Sequence, residues 1–563
     1  MNLLNEAWIP VRRASGKRER IAPHEMTDGI ETDPIESIAA PRADFNGALM
    51  QFLIGLVQSA WDEVGDDFDR DLMLYEPPSP EELESRFASL SSVFELDGDG
   101  PRFMQDPTLS EADKPAENDP SGLFIDAPGG QALRYNTDHF VKRGGIEGVC
   151  PECAATALFA LQTNAPAGGA GHRTSLRGGG PLTTLLVYTP LDGELQPALW
   201  RDIASNVLTR DRFRMLCDAG KAERKYRFPW LAPISELQAE DGETQPLDVH
   251  PAQLYWAMPR RIRLDTDGTE PGKCDVCGRG AERLIKRYLT RNKGLNYKGP
   301  WRHPLSPYYG KSQQELLPMH PQPGGMGYRH WLGWVLGVKD NNNYIAPATV
   351  LSQFLQIGDS AERATFRLWA FGYDMDNMKP RCWYESRFPL FALPDEGSAA
   401  QEALQQVVRY LIAGAEQAAS YLRWAVKTAW VGEKGELRGD LSFVDASFWS
   451  ETEPGFFVHV EAATRLVNEA GMAALDGSEA LRREWLKHLQ GAVFRLFDRL
   501  AASDEAVARR PERLSAAHKQ LGNQLFGKKL HGALGLPAPS RKGASDADVD
   551  PLVSEEATEE NTA

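Results

Sequence analysis

Two pairs of cysteines, each with the spacing CxxC, constrain the fold of this chain more than any other feature. The first pair is Cys150 and Cys153, and the second is Cys274 and Cys277. Each pair can hold a metal ion with two thiolates, and four thiolates complete a tetrahedral structural zinc site. Because 120 residues separate the pairs, a shared zinc ion would join two segments that are distant in the sequence.

Other interpretations of the cysteines stay open. The two pairs can be separate or vestigial, and a redox site is a third possibility, although it predicts one CxxC at a strand–helix junction rather than two. Disulfides are not expected in a reducing compartment. We therefore favour one shared structural zinc ion. Cys217 and Cys382 stand alone in the sequence, and we expect them to be small core residues.

The length and composition of the chain are typical of a soluble globular protein. It has 563 residues, of which 42% are apolar and 25% are charged. Its best membrane-span candidate, residues 48–61, is interrupted by Gln51, Gln58 and Ser59 and is shorter than the roughly 20 apolar residues that a span requires. The first residues lack the basic and apolar regions of a secretory signal. We expect a cytoplasmic protein without membrane contact.

The sequence divides into three expected regions of an α+β protein. Residues 1–393 alternate strand-like and helix-like segments, which predicts a large mixed α+β domain. Residues 399–530 are Ala-rich and repeat apolar side chains every three or four positions, which predicts a C-terminal four-helix bundle. Residues 535–563 are acidic and poor in aromatic residues, so we expect a disordered tail.

The charge distribution points to one local nucleic-acid contact rather than to a general nucleic-acid binder. The formal net charge is −17, yet residues 279–298 carry seven bases and one acid. Tyr288 and Tyr297 lie within this basic stretch and Trp301 follows it. Bases neutralise phosphates, and aromatic rings stack on nucleobases. The basic stretch therefore indicates nucleic-acid contact, with a solvated helix face as the alternative.

A glycine-rich segment at residues 164–180 follows the first cysteine pair. It lacks the Gly-Lys-Ser/Thr ending of a P-loop and the third glycine of GxGxxG. Gly168, Gly169, Ala170 and Gly171, which we call the glycine loop, have little or no side chain, so a partner can approach the backbone closely. A flexible surface loop is the alternative. The neighbouring side chains that offer phosphate contacts are His172, Arg173 and Arg177.

No arrangement of residues in the sequence predicts catalysis. The motifs HExxH, GxSxG and Walker A are absent. The acidic clusters at residues 97–100 and 374–377 do not continue into a calcium-binding loop, and we expect the lone His303 to be structural. We therefore predict a protein that is not an enzyme. A metal-dependent nuclease that uses Asp374 and Asp376 is an alternative.

The order of several short motifs resembles the large-subunit (CasA) family of the type I-E CRISPR Cascade surveillance complex. Each motif is weak alone, but the ordered set is specific and spans roughly residues 1–530. The motifs lie at 2–4, 8–11, 103–105, the first cysteine pair, 164–180, 183–184, the second cysteine pair, 301–307 and 372–373.

The resemblance implies a non-catalytic subunit of an RNA-guided antiviral complex. Such a subunit recognises the protospacer-adjacent motif (PAM) of duplex DNA, starts strand separation and helps to recruit a helicase–nuclease. Its implied partners are the other Cascade subunits with their guide RNA, target duplex DNA and that helicase–nuclease. A segment with Lys142 and Arg143 resembles the family's docking segment. The alternative is a zinc-containing RNA-binding subunit of another ribonucleoprotein, without preference for a duplex motif.

The resemblance also implies individual DNA-contacting residues. The family's glycine loop falls on the glycine loop of this chain, with Ala170 at a position where the family has glycine. The lysine finger falls on Asn292, with Lys293 beside it. A glutamine-bearing wedge falls on Asp376, Asn377 and Met378, where Asn377 takes the place of the glutamine. These departures leave the exact PAM sequence open.

Overall fold

The fold is described from a computed structural model, and it confirms the expected α+β class. The described residues are 1–110, 114–127, 134, 144–189, 196–267, 269–311, 314–340, 343–376, 379–433, 435, 439–501 and 510–539. They form two compact units, Met1–Gln401 and Glu402–Ala563. Within those described ranges, no helix is both long and apolar enough to cross a membrane.

The first unit combines one long helix, α1, and several shorter helices with small sheets. Its helices are α1 (Ala43–Val64), α2 (Arg70–Tyr75), α3 (Pro80–Ala88), α4 (Pro151–Asn164), α5 (Leu199–Ala204), α6 (Arg210–Arg214), α7 (Ile234–Leu237), α8 (Trp331–Val335), α9 (Thr349–Ile357) and α10 (Ser360–Ala364). Its strands are β1 (Ile9–Arg13), β2 (Arg18–Ile21), β3 (Ile35–Ile38), β4 (Ala116–Asn118), β5 (Thr183–Tyr188), β6 (Arg261–Leu264), β7 (Glu270–Lys273), β8 (Gly280–Leu284), β9 (Tyr288–Arg291), β10 (Tyr308–Gly310), β11 (Leu317–Pro318), β12 (Val338–Lys339), β13 (Tyr344–Ala346), β14 (Phe366–Asp376) and β15 (Lys379–Pro389).

Helix α1 lies in the core of the first unit and is buried on nearly all sides. Two of its glycines admit neighbouring rings, because a Cβ on Gly47 would lie 2.6 Å from the Phe371 ring and one on Gly55 would lie 2.8 Å from Tyr255. The helix ends at Val64 and is capped by Gly65, whose φ of 87° is left-handed. The Phe52 ring meets five other rings edge-on, which builds an aromatic core from Trp8, Phe94, Phe103, Phe159 and Trp256.

A three-stranded antiparallel sheet of order β15–β14–β5 carries the longest strands. Strands β14 and β15 have 11 residues each and form a hairpin whose last ladder pair is Asp376 and Lys379. The alternation of residues 365–373 in the sequence predicts a strand, which the structure confirms and continues three residues further, to Asp376. Asn377 and Met378 connect the two strands in the sequence and lie outside the described residues.

Four further sheets surround this core, with the orders β2–β1–β3, β11–β10–β13–β12, β4–β9–β6 and β7–β8. Residues 110–120 look like a loop in the sequence because they are polar and rich in proline, but Ala116–Asn118 form β4. That strand is specified by its partner, since Glu117 pairs with Leu289 of β9. Such pairing with a distant strand outweighs local β propensity.

The second unit is helical, in agreement with the expected C-terminal bundle. One face of the first helix is fully buried at Leu404, Val408 and Leu411, as its apolar periodicity predicts. The Trp485 indole donates to the Leu411 carbonyl at 2.9 Å and so joins two helices. The helices are α11 (Ala399–Val431), α12 (Ser442–Ala470), α13 (Ala474–Gly477), α14 (Glu479–Ala501), α15 (Pro511–Leu525) and α16 (Lys528–Ala533).

Two boundaries of the second unit differ from the sequence-based expectation. The sequence predicts a helix near 456–474, but α12 begins at Ser442 and passes through Pro454, because packing of its apolar face outweighs one missing backbone hydrogen bond. Residues expected in the tail also pack, since the Gly535 carbonyl accepts from Arg482 at 2.6 Å and Leu536 is buried. Residues 540–563 lie outside the described part of the chain.

Candidate metal centre and nucleic-acid interface

The four cysteines of the two CxxC pairs meet in the first unit. Their Sγ atoms all lie within 4.8 Å of one another. Cys150 is the N-cap of α4, and Cys153 lies in its first turn. Cys274 and Cys277 lie in the turn between β7 and β8. The expected convergence of the two distant pairs is thus present in the structure, and within the described residues this is the one group of three or more potential ligands that could share a metal ion.

Backbone contacts hold the two cysteine segments together. The Asp275 amide donates to the Gly148 carbonyl at 3.0 Å. In return, the Asp275 carboxylate accepts from the amides of Glu147 and Gly148, both at 2.8 Å. A β-bridge between Val149 and Ile285 adds a second connection. These bonds fix the separation of the pairs independently of a metal.

The cysteine cluster fits a zinc ion by its dimensions and by its donor chemistry. Zinc–thiolate bonds of about 2.3 Å in a tetrahedron place sulfur atoms about 3.8 Å apart, and the Sγ atoms of Cys150 and Cys277 are 3.8 Å apart. The pKa of Cys153 is raised by its contacts with the sulfurs of Cys150 and Cys274 and by burial. A bound cation would offset this effect, because it stabilises the thiolate forms. All four cysteines would hold the ion.

The glycine loop and the predicted finger residues lie side by side. The Lys293 amide donates to the Gly171 carbonyl at 3.0 Å. A Cβ built on Gly171 would lie 3.6 Å from the Asn292 Cβ. Gly169, Gly171, Asn292 and Lys293 are all exposed. These four residues, which the resemblance assigns to DNA contact, come from segments more than 100 residues apart in the sequence. In the fold they form one continuous surface.

The local backbone explains how this surface is shaped. Gly169 to Gly171 form a 3-10 turn, and Gly171 has a φ of 83°, which favours glycine. Lys293 follows β9 with a φ of 61°, an uncommon conformation for a residue with a side chain. Its ammonium group lies 2.9 Å from the Asp241 carboxylate, and both side chains are exposed. An exposed pair of this kind contributes little stability, so the ammonium can exchange partners at low cost.

The same glycine-rich segment packs against the β14–β15 hairpin. A Cβ on Gly180 would lie 2.8 Å from the Tyr373 carbonyl and 2.7 Å from Met375. Conversely, a Cβ on Gly372 would lie 2.6 Å from the Pro181 carbonyl. Only residues without a side chain allow this approach. The hairpin that leads to Asp376 is therefore packed directly on the segment that carries the glycine loop.

Charged and polar contacts hold the part of the hairpin next to its tip. Asp374 is buried and accepts two hydrogen bonds from the Arg381 guanidinium, at 2.6 and 3.1 Å. The Tyr373 hydroxyl donates to Asp44 at 2.6 Å, and burial raises the pKa of that phenol. Asp374 is thus a structural partner of Arg381, which weakens the alternative of a nuclease centre at Asp374 and Asp376.

Arg177 was expected near phosphates, and the structure places it in the core instead. Its guanidinium donates to Gln51 at 2.5 Å and to Thr183 and Ser306 at 3.0 Å each. Burial lowers its pKa to about 10. A spacing pattern cannot show that three polar side chains from distant segments enclose this arginine. His303 is buried as expected of a structural residue, and its Nδ1 accepts from the Leu305 amide at 3.1 Å.

The basic stretch 279–298 differs from the expected stacking surface. It contains the whole of β8 and β9, and its aromatic side chains Tyr288 and Tyr297 are buried, as is Trp301. These rings are not available to nucleobases. Several of its cations are paired with acids at 2.9 Å or less, as in Arg283 with Asp97, Lys286 with Glu270, and Lys293 with Asp241.

Two supports of the glycine loop had no signal in the sequence. Arg260 donates to the Pro166 carbonyl at 2.5 Å, and Asp241 pairs with Lys293. Both come from segments without a motif, so only the fold brings them to the loop. The isolated cysteines also differ from each other, since Cys217 is buried as expected but Cys382 is only half-buried. Lys142 and Arg143 lie outside the described residues.

Comparison with known proteins assigns the chain to a family. The family model described as CRISPR-associated protein Cse1 matches residues 2–496. Thermus thermophilus CasA (Cse1) is similar in structure, with a TM-score of 0.61 and 15% identity over 93% of this chain and 99% of the other. For Thermobifida fusca Cse1 the TM-score is 0.64 and the identity 14%, over 94% and 98% of the two chains.

A chain from a structure titled as a CRISPR RNA-guided surveillance complex is also similar. Its TM-score is 0.60 and its identity 14%, over 93% of this chain and 99% of that chain. At such identities the structural matches establish the fold, whereas the family model matches the sequence over most of the chain. The chain belongs to the CRISPR-associated Cse1 family, which is the type I-E large-subunit family that the ordered motifs predicted.

Proposed function

We propose that this chain is the DNA-recognising large subunit of an RNA-guided surveillance complex. In this function it recognises the PAM of duplex DNA, starts strand separation and helps to recruit a helicase–nuclease. The observation that carries the proposal is the continuous exposed surface formed by the glycine loop, Asn292 and Lys293. The segment that contains the glycine loop also packs against the β14–β15 hairpin.

The glycine loop suits contact with the sugar–phosphate backbone or a groove of DNA. Its exposed glycines allow backbone amides to approach a duplex closely, and Lys293 adds a positive charge next to them. Asn292 offers both a donor and an acceptor. In the minor groove the donor and acceptor pattern separates A·T from G·C pairs but resolves little more. Recognition of several related PAM sequences is therefore expected.

The hairpin is suited to start strand separation. Asp376 is the last residue of an 11-residue strand, and Asn377 and Met378 follow it in the sequence. A long paired hairpin can aim such a tip rigidly. Asn377 can hydrogen-bond a base edge, and the apolar Met378 can insert between base pairs. The carboxylate of Asp376 opposes DNA phosphates, and Lys379, its ladder partner, offsets that charge.

The proposed partners follow from the family and from the charge of the chain. The other Cascade subunits with the guide RNA would supply most of the sequence specificity through base pairing, as in another RNA-guided system. A net charge of −17 is compatible with this division, because this subunit needs only a local DNA contact. Lys142 and Arg143 are proposed to dock onto the guide-bearing subunits. We propose a cytoplasmic location and a non-enzymatic function.

We further propose that the four clustered cysteines hold a structural zinc ion. In that function the ion would fix the start of α4 against the β7–β8 turn. The glycine loop follows the C-terminal end of α4 in the sequence, so the ion would stabilise one end of the element that leads to the loop.

The experiment for the PAM proposal uses the complex assembled with its guide. A library of duplexes, each with a full guide match and a randomised flanking motif, is separated by gel shift into bound and free fractions. We expect enrichment of a few related flanking motifs. Equal binding of all flanking sequences would contradict PAM recognition and would favour the alternative of an RNA-binding subunit. Intact DNA after incubation of the pure chain with magnesium is expected, and cleavage would revive the nuclease alternative.

A further inference from the structure

A groove of about 630 Å³ lies among α1, α2 and α3 of the first unit. Val64 at the end of α1 is 55% exposed, and large apolar side chains exposed beside a groove mark interaction surfaces. Proline residues between α2 and α3 stiffen one side of it. The apolar residues that line the groove are Trp61, Val64, Met73, Pro77 and Pro78.

The surroundings of this groove are strongly acidic. Residues 62–86 contain ten acids and two bases. One of the two bases, Arg70, is buried and bound to Glu362 at 3.1 Å. Asp66, Glu76 and Glu82 line the groove and are exposed. An apolar surface bordered by carboxylates is complementary to a segment that is both apolar and basic.

The second base, Arg86, shows which chemistry the groove accepts. Its guanidinium lies 4.2 Å from the centre of the Trp61 ring and donates to the Asp66 carboxylate at 2.8 Å. The groove thus already satisfies one cation by an aromatic face and a carboxylate together. The carboxylates of Glu76 and Glu82, which also line the groove, would offer ion pairs to a partner's arginine or lysine.

We propose that this groove binds a basic segment of a partner protein, in which arginine or lysine residues flank an apolar anchor. Val64 and Met73 would contact the anchor, and Glu76 and Glu82 would pair with the flanking cations. Nucleic acid is not a suitable occupant, because its phosphates would be repelled by the same carboxylates. This surface is separate in chemistry from the proposed DNA contact and does not depend on it.

The test uses the full chain and a fluorescein-labelled peptide that alternates pairs of arginines with pairs of leucines. Fluorescence anisotropy measures its affinity for matched variants. We expect Glu76→Lys and Val64→Ser each to weaken binding about tenfold, an effect that corresponds to about 1.4 kcal/mol. The controls are Glu461→Lys and Val458→Ser, which make the same changes at exposed positions of α12 and should leave the affinity unchanged.

A second peptide with alanine in place of leucine separates an anchored complex from simple charge attraction. It should bind at least about tenfold more weakly than the leucine peptide. Equal affinity of the two peptides, or equal effects of Glu76→Lys and Glu461→Lys, would overturn the proposal. Because Val64 and Glu76 are exposed, an unchanged circular dichroism spectrum is expected and would show that the variants fold.

Discussion

The two units of the molecule obtain their structure in different ways. In the second unit, long helices bury one regular face each, so the spacing of apolar residues within each helix determines most of the packing. In the first unit, short elements are joined by contacts between distant segments, such as the cysteine cluster and the bonds of Arg177. The candidate functional surfaces lie in this irregular unit. Regular helix packing provides a rigid scaffold, whereas irregular segments can bring functional residues from distant parts of the sequence together.

Removal of the metal should have the largest effect. It should lower the stability of the first unit much more than that of the second. Native protein should contain one zinc per chain by elemental analysis, and Cys274→Ser should lose it. Structural zinc contributes about 10 kcal/mol or more of apparent binding free energy in small zinc domains, so we expect a large fall in the unfolding temperature of the first unit. The helical signal of the second unit should persist to higher temperature.

Cys217→Ser is the matched control for the metal prediction. Cys217 is buried but lies outside the four-cysteine cluster, and burial raises its pKa to about 12. Its replacement should leave the zinc content at one per chain. Native protein without zinc, or equal zinc loss in both variants, would contradict the assignment.

The second expected effect concerns the tip of the β14–β15 hairpin. Replacement of Asn377 and Met378 by glycine should slow R-loop formation on relaxed linear duplex by about tenfold or more, because unstacking a base step costs about a few kcal/mol. The rate is measured with the assembled complex. Pre-melted or negatively supercoiled targets should be affected less, since the work of opening is already supplied. Equal rates of variant and wild type on linear duplex would reject the wedge.

The third prediction tests the glycine loop without disturbing the fold. A Cβ on Gly169 would meet no atom within 4 Å, and the same holds for Gly100. Neither residue has a positive φ, so both Gly169→Ala and Gly100→Ala should fold normally. We expect only Gly169→Ala to weaken binding of PAM-containing duplex, by a few-fold to about tenfold, because its methyl group would hold the DNA away. Equal affinities of the wild type and Gly169→Ala for this duplex in a gel shift would contradict a contact between the glycine loop and DNA.

Sequence reasoning succeeded where a signal is local or chemically specific. Strand β14 and the first helix of the second unit, α11, follow from the periodicity of their residues, and the cysteine cluster follows from the restricted chemistry of metal ligands. It failed where burial depends on distant partners. In the sequence Arg177 resembles a phosphate-binding residue, but in the fold it is enclosed by Gln51 and Ser306. The rings of the basic stretch 279–298 are core residues because other segments cover them.

The smallest expected effect is the absence of DNA binding by the second unit. Residues 399–531 carry 17 acids and 17 bases, and several of the bases are engaged by acids of the same unit, such as Arg495 and Arg499 with Glu451. Release of counterions from DNA requires unpaired cations on one surface. A fragment of residues 399–539 should therefore remain helical by circular dichroism and show no shift of duplex DNA at physiological salt. Tight, salt-sensitive binding by this fragment would contradict the division between the units, because the regular bundle would then share the DNA contact that we assign to the irregular unit.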